Sequence, residues 1–583
     1  MARPARFRRL GVVLGLAACT AWAMAQTVER PPRAAVSDAP VPGVVRAALP
    51  PQQFTGYAVN VLFLDLYGGT GSADGDRDLR ERIEQQTRRL RSGPFNQPLT
   101  EQVVAALNAL PGLRDVSYAV YASERPGSIV LAISATLTAE TQPVARGWLV
   151  DGQSSSLPVL YESGDALLRL QLNVWGGLYS DYNPWFGSAP TYTAQSPIAL
   201  DPPGPGRTSW GEAMVEFGVA GATRFALPDL YLFGELTGMS SGATGQDLFR
   251  SDTRTETMWE KVYGGVLWAQ PEEKRSARLS VGRQNWQLNN GFLFSRYAAG
   301  ANAGPNPALY LNPRTTYQMA VLAEARQGPF ELEFFDLDPA ELKAFDSNTR
   351  FQGLRAAWQE DERWDLGLAA YRVPESNTLL RSGNGSVVPR EGERTLNLRL
   401  GHRDLGAGFS ALAEAAWQDS TEAAISARAW YAQLAYTAKD VAWKPNVLFR
   451  YASFSGDRPD TATREAFDAP LSSGLDEWVQ GVNFKKVVTN SNLNSYRLRF
   501  NAGPDPRLNF TLDAYHLWAD VPLSTGESTY GNELDLIVRW SITKQLFFLG
   551  VAGIAWPGDI IKAQTQGTAR PWSTVQASLF WGF

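Results

Sequence analysis

Apolar and polar side chains alternate along the last segment of the chain, Pro571-Trp572-Ser573-Thr574-Val575-Gln576-Ala577-Ser578-Leu579-Phe580-Trp581-Gly582-Phe583. The apolar side of an extended strand would consist of Val575, Ala577, Leu579, Trp581 and Phe583. A period of two is typical of a β-strand whose faces meet two different environments. In a soluble protein this strand would leave an apolar edge open to aggregation. We therefore expect it to close a barrel whose outer face meets membrane lipid.

The same alternation recurs from about residue 161 to the end, for example in segments 168–174, 277–282, 396–400, 508–514 and 533–540. Stretches rich in Gly, Asp, Asn and Pro separate these segments, and aromatic residues cluster near their ends, as at a membrane interface. A membrane strand takes ~9–11 residues, or roughly 23 with its share of turns and loops. Residues 161–583 therefore predict an all-β, antiparallel transmembrane barrel of about 18 strands, within a range of about 16 to 20.

Composition excludes several other classes of function. The net charge of the 583 residues is -5, which argues against a nucleic-acid binder. The single cysteine, Cys19, lies in the N-terminal leader, so the rest of the chain holds neither a disulfide nor a catalytic thiol. Neither of the two histidines, His402 and His516, has a serine or an acid in a local catalytic pattern. We therefore predict no enzyme, no metal and no cofactor.

The N-terminus predicts export from the cytoplasm. Residues 1–25 have a basic region, an apolar core from Leu10 to Ala18 and an Ala-Met-Ala cleavage site, which together indicate a signal peptide. Alternatively, Leu16-Ala17-Ala18-Cys19 resembles a lipobox, which would leave a lipidated Cys19 at the mature N-terminus. Residues 26–53 are rich in Pro and Ala and predict an extended linker.

Residues 54–142 predict a small α/β domain. Strand patterns at 57–67, 116–121 and 128–137 and helical spacing at 78–90 and 100–110 give the order β-α-α-β-β. This order, with the segment LNALPGLRDVSY before the hairpin, resembles a POTRA domain; another small α/β fold remains an alternative. The resemblance implies a periplasmic domain that binds export or synthesis proteins through a strand edge. Residues 143–160 would then be a second linker.

Arginine recurs on the inward side of the predicted strands, between apolar outward neighbours, at Arg169, Arg278, Arg399, Arg450, Arg497, Arg499 and Arg539 and, less clearly, Arg355. A lipid-facing arginine at mid-membrane would cost ~2–4 kcal/mol, so the inward side is favoured. Arginine rings in a pore select anions, phosphates or carboxylates. Any water-filled barrel would also carry such residues, together with acids at Glu216, Glu331, Glu333, Asp513 and Asp535. The pattern therefore leaves two interpretations open. The arginines line a path for a polyanion, or they only keep the lumen hydrated.

Several short motifs resemble the alginate-export family of outer-membrane porins. Leu279 to Trp286, followed by Asn289-Asn290-Gly291, is similar to a strand end of that family, and Phe449 to Asp457 is similar to another strand and its loop. The segments 492–494, 515–518 and 531–536 follow in the family's order. The aromatic residue at Phe583 resembles the signal by which the barrel assembly machinery recognises such strands.

This resemblance implies an 18-stranded outer-membrane channel that passively exports an anionic, alginate-like exopolysaccharide. The arginines that would touch the polymer are Arg278, Arg283, Arg399, Arg450, Arg497 and Arg499, with Arg169 and Arg539 on the same inward side. The POTRA-like domain departs from the family pattern and keeps a two-partner-secretion protein translocator as an alternative. A general or nutrient-uptake porin is another. Two long segments, 180–207 and 300–314, are candidates for loops that fold into the lumen.

Overall fold

The computed structural model describes residues 58–137 and 159–582, except for 69–72, 92–93, 109, 111, 123–127, 163–165, 226, 228, 271–273, 296–309, 312–315, 342–345, 360–362, 421, 472–478, 506 and 544. The predicted signal peptide 1–25, the linker 26–53, most of the linker 143–160, Cys19 and Phe583 lie outside the described residues. The described chain forms two compact units, which divide near residue 155.

The first unit is a three-stranded sheet with two helices. Its elements are β1 (Ala58–Gly68), α1 (Ala73–Arg91), α2 (Gln97–Asn108), β2 (Leu113–Ala122) and β3 (Ser128–Leu137). The sheet order is β1-β3-β2, and β3 is parallel to β1 and antiparallel to β2. Apolar side chains at helical spacing, such as Leu79 and Ile83, are buried against Leu131 and Ile133 of the central strand. The β-α-α-β-β order is the predicted one; the assignment to POTRA domains stays a prediction.

The second unit consists mainly of strands. They are β4 (Val159–Glu162), β5 (Ala166–Tyr182), β6 (Arg207–Arg224), β7 (Leu230–Gly245), β8 (Arg254–Gln270), β9 (Arg275–Arg283), β10 (Met319–Gln327), β11 (Phe330–Asp338), β12 (Arg350–Trp358), β13 (Trp364–Glu375), β14 (Leu379–Arg381), β15 (Val387–Pro389), β16 (Glu393–Gly406), β17 (Phe409–Ser420), β18 (Ser426–Thr437), β19 (Asn446–Phe454), β20 (Leu493–Asp505), β21 (Leu508–Trp518), β22 (Thr529–Ser541), β23 (Leu546–Pro557) and β24 (Trp572–Gly582). Short helices lie in the connections, at α3 (Ala189–Thr193), α4 (Asp559–Gln564) and the 3-10 turns Pro184–Gly187 and Phe484–Lys486.

Eighteen of these strands form one closed antiparallel barrel, as predicted. Each strand from β5 to β13 and from β16 to β24 pairs with its neighbour in sequence, and β24 pairs with β5. The short β4 pairs with the first residues of β5, and β14 and β15 form a separate hairpin. In the closing pair, Gln576 lies opposite Tyr179 and Ser578 opposite Gly177. The last strand of the chain therefore completes the hydrogen bonding of the first.

The two ends of the barrel differ in the length of their connections. Residues 183–206 join β5 to β6 at one end, whereas residues 225–229 join β6 to β7 at the other. Segments 284–318 and 455–492 are further long connections at the first end. Outer-membrane barrels have short periplasmic turns and long extracellular loops, which assigns the long connections to the cell exterior. Among the described residues, every helix is too short or too polar to cross a membrane.

The alternation along the strands separates the two faces of the sheet. Leu498 is 52% exposed, whereas its neighbours Arg497 and Arg499 are 1% and 5% exposed. Leu398 is likewise exposed between the buried side chains of Asn397 and Arg399. The outer face therefore presents aliphatic and aromatic side chains to lipid, while polar and charged groups pack inside.

We expect the substitution Leu498→Arg to destabilise the barrel by about 2–4 kcal/mol, because it would place a charge in lipid. Urea unfolding of the protein in lipid vesicles measures this loss, with Leu498→Phe as the control that keeps an apolar outer face. Equal stability of Leu498→Arg and the parent protein would contradict the assignment of the two faces.

Candidate functional site

Five of the predicted lumen arginines lie along one wall of the barrel. This arginine belt consists of Arg399 on β16, Arg450 on β19, Arg497 and Arg499 on β20, and Arg539 on β22. All five side chains are buried. Arg450 and Arg497 are directly opposite each other in the register of β19 and β20. Strand pairing thus brings like charges together, which requires groups that balance them.

Asp513 on β21 is the central counter-charge of the belt. Its Oδ1 accepts hydrogen bonds from Nε of Arg497 at 3.1 Å and Nε of Arg499 at 2.8 Å. Its Oδ2 accepts from Nη2 of the same two residues at 2.9 and 2.8 Å. Both guanidinium groups therefore bind one carboxylate in the bidentate manner. Arg539 and Arg450 also interact electrostatically with Asp513.

Tyr431 on β18 connects Arg399 to Arg450, two members of the belt. Its hydroxyl lies 3.2 Å from Nη1 of Arg399, and its ring centroid lies 5.5 Å from Cζ of Arg450. Arg399 also donates to Asp365 at 2.7 Å and to Glu414 at 3.0 Å. Carboxylates and an aromatic face hold these arginines in fixed positions, so their buried guanidinium groups form an ordered row inside the barrel.

Two further predicted arginines lie on strands outside the belt. Arg278 on β9 donates to Oε2 of Glu324 on β10 at 2.7 Å. Arg169 on β5 is buried and interacts with Glu235 on β7, near Lys261. Both point inward, and each interacts with an inward acid, Arg278 with Glu324 and Arg169 with Glu235. The structure does not bring them together with the belt.

Arg283 corrects the sequence prediction of a lumen arginine. It lies opposite Val262 in the register of β9 and β8. Val262 lies on the outward side of β8, together with the exposed Val266 and Trp268. Directly opposed residues share a face of the sheet, so Arg283 lies on the outward side as well. The preceding Gly282 has φ +134 and is close to the end of the strand. The family-like motif around Arg283 therefore does not place this side chain in the belt.

The rest of that motif reaches the belt through the loop after β9. Asn289 accepts a hydrogen bond from Nε of Arg355 at 3.1 Å and donates to Glu414 at 3.0 Å. Asn290 lies 3.3 Å from Nη1 of Arg399 and donates to the Tyr431 hydroxyl at 3.0 Å. We call residues 284–295 the first inner loop. It lies inside the barrel, where its two asparagines bind the charged wall.

A second inner loop, residues 479–490, is held by carboxylates of β22. The backbone N–H of Val482 donates to Asp535 at 3.0 Å. The N–H groups of Asn483 and Phe484 donate to Glu533 at 2.6 and 2.8 Å. Glu533 and Asp535 alternate with lipid-facing leucines, so their inward direction was predictable, but their loop partners lie about 50 residues away in sequence.

Parts of both segments that were predicted to fold into the lumen, 180–207 and 300–314, lie inside the barrel. Trp185 and Phe186, between β5 and β6, are buried against Trp572, with ring centroids 5.5 and 5.7 Å apart. Of residues 300–314, the structure describes Tyr310 and Leu311. Their backbone N–H groups donate to Oε2 of Glu212 on β6 at 2.9 and 2.8 Å. Inward carboxylates thus hold loop backbones at two separate places.

The histidines have local structural contacts. The His402 ring packs edge-on against Trp364 at 4.4 Å, and His516 Nδ1 lies 2.8 Å from Asn532 Oδ1. Within the part of the chain that the structure describes, no group of three or more His, Cys, Asp or Glu side chains is arranged to hold a metal ion.

Comparison with known proteins gives one family and a set of structural relatives. The family model described as alginate export matches residues 266–573, which is more than half of the chain. A comparison of this chain with curated proteins found no match. Similar solved structures include Pseudomonas aeruginosa OccK11 (OpdR), with a TM-score of 0.43 and 13% identity over 71% of this chain and 96% of that one. P. aeruginosa OccK2 (OpdF) in complex with glucuronate has a TM-score of 0.43 and 12% identity over 71% and 96%. A BenF-like porin from Pseudomonas fluorescens Pf-5 has a TM-score of 0.44 and 11% identity over 71% and 98%.

We expect Asp513→Asn to raise the anion preference of the channel, because Arg497 and Arg499 would lose their shared negative charge. The same change should lower the free energy of unfolding by about 3–5 kcal/mol, since it breaks a buried ion pair. Reversal potentials in a salt gradient and urea unfolding measure the two effects, with Asp513→Glu as the charge-preserving control. Unchanged selectivity would show that the belt does not face the ion path.

We expect the double substitution Glu533→Gln and Asp535→Asn to loosen the second inner loop, because charge-assisted hydrogen bonds to its backbone would be weakened. Each such bond contributes about 1.5–3 kcal/mol. The population of the state with the loop detached should therefore rise on the order of tenfold for each bond that is weakened. Single-channel recordings should show more frequent openings to a higher conductance. The exposed Glu422→Gln serves as the control, and identical traces from both variants would contradict the role of the two carboxylates.

Proposed function

Since the chain belongs to the alginate export family, we propose that its barrel passes an anionic exopolysaccharide through the lumen along the arginine belt. Family membership and the closed barrel make the protein an outer-membrane channel for exopolysaccharide export, which performs no enzymatic step. The negative charge of the polymer and the part played by the belt are what the proposal adds.

The arrangement of Arg497, Asp513 and Arg499 carries this proposal. Two guanidinium groups, each with its Nε and Nη2, hold one carboxylate at hydrogen-bond distances of 2.8–3.1 Å. A uronate carboxylate has the same two oxygens and the same charge as Asp513. Bidentate contacts between guanidinium and carboxylate are strong and directional, so an incoming polymer carboxylate can compete for these donors.

Successive weak sites would allow the polymer to advance. Arg539 lies nearer the short-turn end of the barrel than Arg497 and Arg499, so a carboxylate that leaves Arg539 meets the next arginines further along the axis. The internal acids Asp365, Glu414 and Asp513 compete with the polymer for the same donors. This competition keeps each contact weak, and conduction requires sites that bind and then release.

The proposal extends to the N-terminal region. β5 begins at Ala166, at the short-turn end of the barrel, so the chain enters the barrel from the periplasmic side. Residues 54–142 would then act in the periplasm, where we propose that they bind export or synthesis proteins. We also propose that the barrel assembly machinery recognises the last strand, β24, together with the aromatic residue Phe583 that follows it.

Arg450→Ala should weaken the block of single-channel current by a short oligouronate by about tenfold, because a charge-assisted hydrogen bond contributes about 1.5–3 kcal/mol. Arg283→Ala is the matched control, since it removes the same side chain from the outward face. Block is measured in planar bilayers with the oligouronate on the short-turn side.

The comparison of the two variants decides the proposal. A loss in Arg450→Ala with a parent-like Arg283→Ala would support a polymer path along the belt. An equal effect of the two substitutions, or none, would contradict it.

A further inference from the structure

An aromatic wall lies near the extracellular end of the lumen, apart from the belt. Tyr179 on β5 and Trp210 on β6 are directly opposite in the register, and their rings stack at 5.4 Å with an interplanar angle of 27°. Each is the fourth residue from the long-loop end of its strand. Both are buried inside the barrel rather than exposed on its lipid face. They therefore do not belong to the interfacial girdle that the sequence predicts.

The ring of Tyr310 covers this wall. Its centroid lies 5.4 Å from that of Trp210, with the planes 23° apart, and 4.9 Å from that of Tyr179. Tyr310 belongs to the connection after β9 and is not part of any strand. A flat ring from a loop thus occupies the face of a strand-borne aromatic pair.

Glu212 supplies hydrogen-bond acceptors beside the wall. Its Oε1 accepts from the indole Nε1 of Trp210 at 2.7 Å, which fixes the carboxylate next to the ring. Its Oε2 accepts from the backbone N–H groups of Tyr310 and Leu311 at 2.9 and 2.8 Å. One carboxylate oxygen therefore accepts two donors beside the aromatic wall.

Lys486 of the second inner loop completes the surroundings of Tyr310. Its Nζ lies 4.9 Å from the Tyr310 ring centroid and 5.0 Å from that of Trp572. The ammonium group donates to the carbonyl of Val482 at 2.7 Å, which leaves further N–H donors on the same nitrogen. The Tyr310 ring therefore contacts an aromatic wall and an ammonium group, while the backbone N–H of Tyr310 binds a carboxylate.

We infer that Tyr179, Trp210 and Glu212 form a pyranose subsite, which Tyr310 fills in this conformation. A sugar ring presents a flat C–H face that stacks on an aromatic ring, and hydroxyl groups that donate to a carboxylate. Tyr310 and the adjoining backbone supply the same two elements, a flat ring and two donors. The inference rests on the proposed export of a polysaccharide and adds a second, charge-independent mode of recognition at the exit.

The subsite separates ring recognition from charge recognition, which makes it testable. We would titrate a short oligouronate and its carboxyl-reduced, neutral counterpart against full-length channels in a planar bilayer. Trp210→Ala should weaken block by both sugars about tenfold, since it removes the stacking surface. Tyr310→Ala should tighten block by both, since it removes the competing ring. Arg450→Ala should weaken block by the oligouronate alone.

Two control variants and a gel assay separate loss of the stacking surface from loss of folding. Trp210→Phe keeps an aromatic face and should retain most of the block. Trp259→Ala removes a tryptophan that is 59% exposed on β8 and should leave both titrations unchanged. Gel mobility before and after heating confirms a folded barrel for each variant.

Distinct outcomes overturn the subsite and the proposed function. Parent-like block by the neutral sugar in Trp210→Ala and Tyr310→Ala would overturn the subsite while leaving the belt intact. Equal block of the parent by the charged and neutral sugars, unaffected by Arg450→Ala, would overturn the anionic path while leaving the subsite. A parent channel that neither sugar blocks would overturn both.

Discussion

The structure depends on one constraint, which is that lipid offers no hydrogen-bond partner to the peptide backbone. A sheet with a free edge would therefore expose unpaired N–H and C=O groups at high cost, and closure removes both edges. Here the pairing of β24 with β5 achieves closure, with Ser573 to Gly582 opposite Tyr182 to Asn173. Once the sheet is closed, each strand has a lipid face and a lumen face, and the alternation of its residues follows from that separation.

On the lumen face, strand pairing brings side chains of like charge close together. Arginines on adjacent strands, such as Arg450 and Arg497, meet across the register, and inward acids meet in the same way, as Asp513 and Asp535 do. Asp513 relieves the first conflict by binding the guanidinium groups of Arg497 and Arg499, while Arg450 donates to Gln433. Asp535 and its neighbour Glu533 accept the backbone N–H groups of residues 482–484. The need to satisfy inward charges thus both orders the arginine belt and holds loops inside the barrel.

The sequence predicted what depends on local pattern. The period of two separated Leu398 from Asn397 and Arg399, and segment length gave the count of 18 strands, because both properties are set within single strands. The β-α-α-β-β order of the first unit was predictable for the same reason. The pattern failed at Arg283, where the motif suggested a lumen contact but the register pairs it with Val262 on the outward face. It was silent on residues 479–490, because their partners Glu533 and Asp535 are distant in sequence, and on the contact of Tyr310 with Trp210, which only the fold brings together.

Flux through proteoliposomes that contain the purified channel would show whether the lumen prefers an anionic polymer. A polyuronate and a carboxyl-reduced polymer of the same length would be enclosed, and their release timed. We expect the polyuronate to leave through the channel faster than the neutral polymer, and added salt to reduce this difference in rate by screening the guanidinium groups. Faster release of the neutral polymer, or release of neither, would contradict an anionic polymer path along the arginine belt.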